Sequence, residues 1–379
     1  MKVLHVYRTY LPDSQGGLEE VIRQICLAAG NHGVTSRIFT LSDEPFPHTL
    51  PRVEADVIRV RKTFEIASCG FALTGVRRFA EQVKWADIVH YHYPWPFSDL
   101  MYLVAGRRRP AILTYHSDIV RQQFLLSVYR PLMSRYLDAM DMIVATSPNY
   151  FASSEVLTEY ADKVEVIPIG LDEPSYPAMH EQNRDLALAR EKYGENFFLF
   201  VGVLRYYKGL HILLEAIKDA SYMVVIVGSG PVEAELREQA RRLQLGNVIF
   251  AGFVSDLEKM ALFRLCRAVV FPSYLRAEAF GVTLLEGAMS ARALISAEVG
   301  SGTSHVNIHG ETGLVVPPGN SRALREAMDD LYHHPDKAAL MGSNARRRYE
   351  QLFTGSLMGE RYADAYRRIL ASQPSGRTA

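Results

Sequence analysis

The sequence predicts an α/β protein made of two Rossmann-like, doubly wound halves. Short runs rich in Val, Ile and Leu alternate with longer amphipathic segments along the 379 residues. This order is expected of parallel strands that helices cover on both faces. The alternation stops once, at the Gly- and Pro-containing residues 169–177, and then restarts. The length also suits two domains of roughly 150 residues or more each.

Each half contains six predicted strands. In the first half they lie at residues 3–7, 35–40, 88–91, 111–115, 142–146 and 164–168. In the second half they lie at 197–201, 223–227, 248–250, 268–271, 293–296 and 313–316. The clearest predicted helices are 18–29, 127–140, 209–218, 232–243, 256–266, 281–291 and 322–332.

The interruption separates two predicted domains, residues 1–170 and residues 171–354. The tail, residues 344–370, has a helical pattern, and we expect a last helix at about 355–379 to pack back on the first domain. Ligands of open α/β sheets bind beyond the carboxyl ends of the strands. We therefore expect the chemistry in a central cleft that the two sheets face.

Composition excludes several classes of protein. The 42 Lys and Arg residues balance the 42 Asp and Glu residues, which argues against nucleic acid as a partner because such domains carry a basic excess. Cys26, Cys69 and Cys266 lie far apart, as expected of free thiols in a reducing compartment. No apolar run approaches the roughly 18 residues of a membrane-spanning helix. Residues 1–8 have the pattern of a strand, not of a signal peptide, so we expect a cytoplasmic protein.

Three glycine-containing loops follow predicted strands and precede helices, where backbone N–H groups and the helix dipole favour an anion. The first contains Gly16 and Gly17, the second contains Arg205 and Lys208, and the third contains Gly228. Two cations beside a helix N-terminus suit a diphosphate. Tight turns that bind nothing, and a solvated Arg and Lys, are the alternatives.

Two glutamates flank the start of predicted helix 281–291. Glu278 lies in the preceding loop, and Glu286 lies about one and a half turns into the helix. One carboxylate can accept both hydroxyls of a ribose and the other the hydroxyls of a hexose, while free N–H groups at the helix start meet the phosphates. Most glutamates in proteins are exposed and bind nothing. The apolar sequence around Glu286 argues against an exposed position for that residue.

Histidine and aromatic residues follow two strands of the first half. His116 comes directly after strand 111–115, where it can hydrogen-bond a sugar or be a satisfied buried histidine. His92, Tyr93 and Trp95 follow strand 88–91, where they can bind an acceptor sugar or pack beneath the cleft. The chain contains no Asp-x-Asp sequence, so we expect no metal ion and no cofactor beyond the substrates.

Together these motifs resemble the retaining family-4 glycosyltransferases of GT-B fold, and the resemblance spans nearly the whole chain. It rests on the Gly16–Gly17 loop, the Arg205–Lys208 loop, the Glu-x7-Glu spacing of Glu278 and Glu286, and the sequence Glu-Thr-Gly-Leu-Val-Val-Pro at 311–317. It implies transfer of a sugar from a nucleotide diphosphate sugar with retained anomeric configuration and without a metal ion.

The resemblance also implies a role for each matching residue. Glu286 should bind the donor ribose, and Glu278 the donor hexose. Arg205 and Lys208 should neutralise the leaving diphosphate, and His116 should lie beside the transferred sugar. The remaining donor-binding positions are those whose backbone approaches sugar or phosphate, namely Gly16, Gly17, Gly228, Phe280, Gly281, Val282 and Thr283.

Four further segments resemble bacterial mannosyl- and rhamnosyltransferases of O-polysaccharide assembly: 92–97, 115–118, 204–210 and 300–307. They imply GDP-mannose or GDP-D-rhamnose as donor and a lipid-linked saccharide as acceptor in O-antigen and lipopolysaccharide biosynthesis. Residues 1–170 would then bind the acceptor and residues 171–354 the donor. The alternatives are a UDP- or ADP-sugar donor, or a non-catalytic nucleotide-sugar binding protein.

A basic stretch suggests peripheral contact with an anionic membrane. Residues 59–109 contain nine Lys and Arg residues against four Asp and Glu residues. Such a face can dock on anionic lipid at the inner side of the membrane, which would suit a lipid-linked acceptor. A solvated basic surface is the alternative.

Overall fold

The computed structural model describes residues 1–66, 69–72, 74–119 and 123–373, and for residues 123–128 only the backbone. The chain divides into two compact units. Unit 1 consists of Met1–Gly170 together with the segment that begins at Gly355, and unit 2 consists of Leu171–Thr354. Each unit is built on a mainly parallel sheet, which confirms the α/β class predicted from the sequence.

Unit 1 contains one large sheet and one small hairpin. Its strands are β1 (Lys2–Val6), β2 (Thr35–Ser42), β3 (Thr49–Pro51), β4 (Asp56–Arg61), β5 (Phe64–Ile66), β6 (Cys69–Phe71), β7 (Ile88–Tyr93), β8 (Ala111–Tyr115), β9 (Met142–Ala145) and β10 (Val164–Val166). The sheet has the order β10-β9-β8-β7-β1-β2-β4-β3, and β5 pairs with β6. Within the large sheet β3 runs antiparallel to β4, and the other neighbours are parallel.

Helices cover both faces of this sheet. They are α1 (Gly17–Gly30), α2 (Gly75–Trp85), α3 (Pro96–Ala105), α4 (Gln123–Asp138), α5 (Pro148–Ser153), α6 (Glu155–Glu159) and, from the end of the chain, α15 (Gly355–Ala371). Helix α15 packs on α1. The approach is close, because a Cβ added to Gly359 would lie 2.4 Å from the carbonyl oxygen of Ala28.

Unit 2 contains six parallel strands, β11 (Phe198–Val201), β12 (Val224–Val227), β13 (Val248–Gly252), β14 (Ala268–Phe271), β15 (Ala293–Ala297) and β16 (Gly313–Val316). Their order is β13-β12-β11-β14-β15-β16. Its helices are α7 (Arg184–Tyr193), α8 (Leu210–Ala216), α9 (Glu233–Arg242), α10 (Asp256–Leu265), α11 (Val282–Met289), α12 (Thr303–Val306), α13 (Ser321–His333) and α14 (Pro335–Leu352).

The strand order of each sheet has a point where the winding reverses. In unit 2, β11 lies between β12 and β14, and in unit 1, β1 lies between β2 and β7. The crevice beyond the carboxyl ends of the strands at such a point is the usual ligand site of open α/β sheets. The expected ligand sites are therefore the loops after β1, β7, β8, β11, β12 and β14.

The structure differs from the sequence prediction at the end of the chain. The helical pattern of 344–370 falls on two helices, α14 and α15, and Phe353 and Thr354 between them are not helical. The reason is a local pairing: the Leu171 N–H donates to the Phe353 carbonyl oxygen over 2.9 Å, and Leu171 forms a β-bridge with Thr354. In the part of the chain that the structure describes, no helix is both long and apolar enough to span a bilayer.

Candidate functional site

The glycine loops of unit 2 lock together at the carboxyl ends of β11, β12 and β14. Gly228 has φ +120°, and a Cβ there would lie 2.1 Å from the carbonyl oxygen of Gly202. Gly209 has φ +70°, and its Cβ would lie 2.0 Å from the Pro272 carbonyl oxygen. Side chains are therefore excluded at both positions by sterics and by backbone conformation. These contacts fix the three loops against one another and so fix the side chains that they carry.

Lys208 and Glu278, which the sequence assigns to diphosphate and hexose, form an ion pair. Lys208 Nζ lies 2.5 Å from Glu278 Oε2, which also accepts the Ser273 hydroxyl over 3.0 Å. The side chains are only 13% and 10% exposed, respectively, and Lys208 Nζ lies 4.7 Å from the centre of the Phe271 ring. The pair is neither a solvated cation nor a surface glutamate, and it sits at the point where the winding of the sheet reverses.

Arg205 lies in the same loop but is exposed. Within the described ranges no hydrogen bond or ion pair of its guanidinium is found. Its carbonyl oxygen accepts the Lys208 N–H over 3.0 Å in a short helical turn. The guanidinium is thus a cation held near the strand end by its backbone and available to an anion.

Helix α11 begins at Val282, directly after the loop that follows β14 and carries Glu278. Gly281 caps it with φ +90°, a conformation that favours glycine. The first N–H groups of a helix have no partner within the helix, so the half-buried Val282 and its neighbours can donate to an anion. The hydroxyl of Thr283 is already used, since it donates to the Val201 carbonyl oxygen over 3.0 Å. Phe280 is buried, so its backbone remains the only group it can offer a ligand.

Glu286 lies on α11 and is paired with a lysine that the sequence did not indicate. Lys259 Nζ of α10 lies 2.9 Å from Glu286 Oε1 and 3.2 Å from Asp256 Oδ1. Burial opposes the charge of Lys259, but the two carboxylates outweigh it and raise its pKa. The ion pair with Lys259 therefore fixes the position of the Glu286 carboxylate. No short-range signal could have found Lys259, because the two residues are 27 positions apart and on different helices.

The Gly16–Gly17 loop of unit 1 is organised by its own side chains. The buried Glu19 accepts the hydroxyls of Thr9 and Ser14, both over 2.8 Å. A Cβ at Gly16 would lie 2.8 Å from Glu19 Oε2, whereas nothing lies within 4 Å of a Cβ at Gly17. The backbone at Gly17 is thus open, and that at Gly16 is closed by the protein itself.

The acceptor-binding role predicted for His92, Tyr93 and Trp95 is wrong for their side chains. All three are buried in unit 1, with at most 1% of each exposed. The Tyr93 ring stacks on that of Tyr115 with 4.5 Å between centroids, and Trp95 Nε1 donates to the Gly70 carbonyl oxygen over 3.1 Å. The physical reason is that helices cover both faces of β7, so alternate side chains enter two cores.

His116 lies directly after β8 and is 4% exposed. Its Nε2 is 3.0 Å from Nδ1 of His92, and Nε2 of His92 is 3.1 Å from Nδ1 of His5. Burial lowers the pKa of both His116 and His5 to about 3. The histidine that the sequence places beside a sugar is thus neutral, and it ends a row of imidazoles that the sequence did not predict.

Three histidines of the same region lie close enough together to suggest a metal site. Ring nitrogens of His5, His90 and His92 lie within 4.8 Å of one another. However, both ring nitrogens of His92 face neighbouring imidazoles, Nε2 towards Nδ1 of His5 over 3.1 Å and Nδ1 towards Nε2 of His116 over 3.0 Å, so the hydrogen bonds occupy both of its possible ligand atoms. His90 is also satisfied by hydroxyls, with Nδ1 2.7 Å from the oxygen of Tyr366 and Nε2 2.7 Å from that of Thr114. The cluster is a hydrogen-bonded group of imidazoles.

Sequence comparison identifies relatives of the whole chain. Residues 15–173 match the model described as glycosyltransferase family 4, and residues 183–348 match the one described as glycosyl transferases group 1. The D-rhamnosyltransferase WbpZ of Pseudomonas aeruginosa is 53% identical over 93% of this chain and 92% of its own. The O-antigen chain mannosyltransferase C of Escherichia coli is 47% identical over 98% of this chain and 100% of its own.

Solved structures agree on the fold. Sucrose-phosphate synthase from Thermosynechococcus elongatus superposes with a TM-score of 0.80 at 22% identity, over 98% of this chain and 100% of its own. WaaG, a glycosyltransferase of lipopolysaccharide biosynthesis, superposes with a TM-score of 0.72 at 17% identity, over 96% and 99% of the two chains. The protein is an enzyme of the GT-B class, a glycosyltransferase that uses a nucleotide-sugar donor and a saccharide acceptor. Within that class the chain belongs to glycosyltransferase family 4.

Proposed function

We propose that this enzyme transfers a hexose from a GDP-sugar to a lipid-linked saccharide acceptor during O-antigen assembly. The hexose is mannose or D-rhamnose. The observation that carries the proposal is the Lys208–Glu278 ion pair at the strand-order switch of unit 2, with Arg205 and Glu286 in neighbouring elements. The choice of sugar is supported by the two full-length relatives, a D-rhamnosyltransferase and an O-antigen chain mannosyltransferase.

In the proposed reaction the bond between the anomeric carbon and the diphosphate oxygen breaks, and its electron pair stays on the departing GDP. Arg205, Lys208 and the N–H groups at the start of α11 stabilise that charge, which is electrostatic preorganisation. The acceptor hydroxyl oxygen forms the new bond on the same face of the sugar, and its proton moves to the departing phosphate oxygen. The anomeric configuration is therefore retained, with no metal ion and no covalent sugar–enzyme intermediate.

Glu278 and Glu286 would bind the sugar part and the ribose part of the donor, respectively. Each carboxylate is already hydrogen-bonded to a lysine, so it is oriented before the donor arrives. A diphosphate entering next to Lys208 would share that cation with Glu278 and release a carboxylate oxygen to the hexose. His116, neutral because burial lowers its pKa, would donate a hydrogen bond to a sugar without repelling positive charge on the ring.

The donor is tested with the purified full chain and four donors, GDP-mannose, GDP-D-rhamnose, UDP-glucose and ADP-glucose. Each is offered with a panel of lipid-linked saccharides and the same saccharides without lipid. We expect transfer from a GDP-sugar, retention of configuration by NMR of the product, and full activity in EDTA. Transfer from a UDP- or ADP-sugar alone supports the alternative donors. Binding with neither transfer nor donor hydrolysis supports a non-catalytic protein.

We further propose that unit 1 touches an anionic membrane through α3. Leu100 and Val104 lie one helical turn apart and are 44% and 64% exposed, and the exposed Arg107 and Arg108 follow at the end of the helix. An apolar stripe beside cations suits an anionic lipid surface. Arg59 is one of the nine basic residues of the stretch 59–109, but it does not contribute to a basic surface because it is buried and paired with Asp13.

Vesicle sedimentation tests this contact. We expect the full chain to bind vesicles of anionic lipid at low salt and to be released as salt rises. The double variant Leu100→Glu/Val104→Glu should bind weakly. The control variant Leu340→Glu changes a leucine on α14 of unit 2 that is about as exposed as Val104, and it should bind like the wild type. Equal binding of all three proteins would contradict the assignment.

We also propose that the protein is located in the cytoplasm. The proposal rests on the nucleotide-sugar donor and on the unpaired thiols of Cys26, Cys69 and Cys266.

A further inference from the structure

The imidazoles of His5, His92 and His116 form a continuous hydrogen-bonded row through the core of unit 1. The row begins inside the sheet at His5, whose Nδ1 is 3.1 Å from Nε2 of His92. It ends at His116, whose Nε2 is 3.0 Å from Nδ1 of His92. His5 and His92 are not exposed at all. The mechanism proposed above uses only the last residue of the row.

Strand register explains why three histidines from three strands meet. His5 of β1 pairs in register with His90 of β7, and His92 of β7 pairs with Thr114 of β8. Because side chains two residues apart share one face of a sheet, each step to the next strand can climb two residues. The row thus runs diagonally from β1 over β7 to the carboxyl edge of β8, on the face that also holds Tyr362 and Tyr366 of α15.

Counting protons along the row gives its direction. A neutral imidazole carries one N–H, so each ring donates through one nitrogen and accepts through the other. If the row donates towards His5, that residue must carry its proton on Nε2, which is buried and has no hydrogen-bond partner. If the row donates towards His116, Nε2 of His5 is only an acceptor without a partner. Orphaned buried N–H groups are rarer than under-satisfied acceptors, so donation towards His116 is favoured.

The direction of the row depends on each imidazole carrying a single proton, and every ring in the row is neutral at physiological pH. Burial lowers the pKa of His5 and His116 to about 3. Burial, followed by the neighbouring rings His90, His116 and His5, lowers the pKa of His92 well below its ordinary value. His90, stacked 4.4 Å from His92, is outside the row because its nitrogens bond Tyr366 and Thr114.

We propose that His5 and His92 are positioning residues that fix His116 in the Nδ1–H tautomer, so that it presents a hydrogen-bond donor to a ligand oxygen. In this row His5 donates to His92, and His92 donates to Nε2 of His116. The Nδ1–H of His116 then points out of the row at the strand edge. That the ligand oxygen is a sugar hydroxyl rests on the function proposed above. The tautomer itself does not.

The tautomer is measured directly by NMR of ¹⁵N-histidine-labelled full-length protein at neutral pH without substrates. The His116 signals are assigned by comparison with His116→Gln. We expect His116 to show a protonated Nδ1 and an unprotonated Nε2. A protonated Nε2 in the wild type would overturn the proposal, and this measurement needs no variant of His5 that folds.

Two variants test the action of His5. His5→Leu removes the donor at the start of the row, so His92 no longer has a reason to keep its proton on Nδ1, and His116 should become a mixture of tautomers. His5→Asn restores an N–H at the position of Nδ1 and should restore the wild-type tautomer. An unchanged tautomer in His5→Leu would contradict the proposal.

His90→Leu is the matched control. It replaces a histidine that is equally buried on the same face but lies outside the row, so it should lower stability as His5→Leu does and leave the His116 tautomer unchanged. If the control shifts the tautomer equally, the effect is one of general packing and the row has no directing role.

Activity separates this proposal from the function on which it partly rests. With a donor that is transferred, we expect kcat to fall about tenfold in His5→Leu, the effect of losing one oriented hydrogen bond, and to recover in His5→Asn. If no GDP-sugar is transferred while the tautomers behave as expected, the proposed function fails and the row stands. If transfer occurs but His116 carries its proton on Nε2, the row fails and the function stands.

Discussion

The two units present polar groups at the carboxyl ends of their strands in opposite ways. Unit 2 uses charges in pairs, Lys208 with Glu278 and Lys259 with Glu286. Unit 1 uses neutral imidazoles that hydrogen-bond one another, and burial lowers the pKa of each. An ion pair can exchange one partner for a charged ligand, whereas a neutral imidazole can only add a hydrogen bond. In the proposed function this difference suits the anionic part of the donor to unit 2 and a neutral sugar to unit 1.

The largest expected effect is on catalysis through the Lys208–Glu278 pair. For Lys208→Ala we expect kcat to fall by about 10²–10³, the cost of removing one preorganised group that stabilises developing charge. Glu278→Gln keeps a hydrogen bond to Lys208 and should mainly raise the donor KM. Steady-state kinetics with the donor that the transfer assay identifies measures both.

Lys218→Ala is the control for this prediction, because Lys218 is an exposed lysine just beyond α8 in the same unit. It should keep wild-type kinetics. Wild-type rates in both Lys208→Ala and Glu286→Ala would show that the donor does not bind at these charges, and the contrast between the two units would lose its functional meaning.

The next effect is on the stability of unit 2, through its interlocked loops. Gly228→Ala places a Cβ 2.1 Å from a backbone oxygen at φ +120°, so we expect the free energy of unfolding to fall by at least about 2 kcal/mol. Gly246→Ala, an exposed glycine of the same unit with nothing within 4 Å of the added Cβ, should change it little. Chemical denaturation followed by circular dichroism compares the two. Equal stabilities would mean that the loops are less tightly locked than the distances indicate.

The neutral imidazoles should make unit 1 the more acid-sensitive of the two. An unfolded histidine binds a proton below pH 6.5, but folded His5 and His116 do so only near pH 3. Stability is therefore fully present above pH 6.5 and falls as the pH drops towards 3, by about 1.4 kcal/mol per pH unit for each such histidine. His90 and His92 act in the same direction. Asp99 opposes them, because burial raises its pKa, but it is one group against four.

Tryptophan fluorescence gives a selective readout of this prediction. Trp85 and Trp95 are the two tryptophans of the chain, and both belong to unit 1. Urea unfolding followed by fluorescence at pH 7 and pH 5.5 should show a marked loss of stability. Hydrogen exchange should show a smaller change in unit 2, where burial lowers the pKa of His305 to about 4. A greater loss in unit 2 would reverse the comparison.

The strands could be predicted from the sequence far better than the contacts that individual side chains make across the fold. Apolar runs such as 197–201 and 268–271 became strands within one residue of their predicted ends, because period and burial are local properties. Strand β4 was missed, since its pattern contains Arg59, whose charge is satisfied by Asp13 from a distant loop. Partners across the fold cannot be read from a local pattern.

The same limit applies to the candidate site. Glu278, Glu286 and Lys208 were singled out by their spacing around loops and a helix start, and the structure brings Lys208 and Glu278 into contact. Lys259 and His5 were missed, because their importance depends on which helix or strand lies beside them. His92 and Trp95 were given a surface role because a strand end looks accessible in sequence, whereas packing on both faces buries them.

The smallest expected effect tests whether unit 1 also approaches the donor phosphates. A Cβ at Gly17 meets nothing within 4 Å, and alanine suits the first turn of α1, so Gly17→Ala should keep the free energy of unfolding or raise it by about 0.4–1 kcal/mol. If a phosphate oxygen contacts the backbone there, the added methyl should raise the donor KM by up to about tenfold, or 1.4 kcal/mol. Gly16→Ala is the comparison, because its Cβ would press on Glu19 and disturb the loop itself. An unchanged KM in Gly17→Ala would mean that the open glycine only starts the helix, and that the donor's charge is met by unit 2 alone.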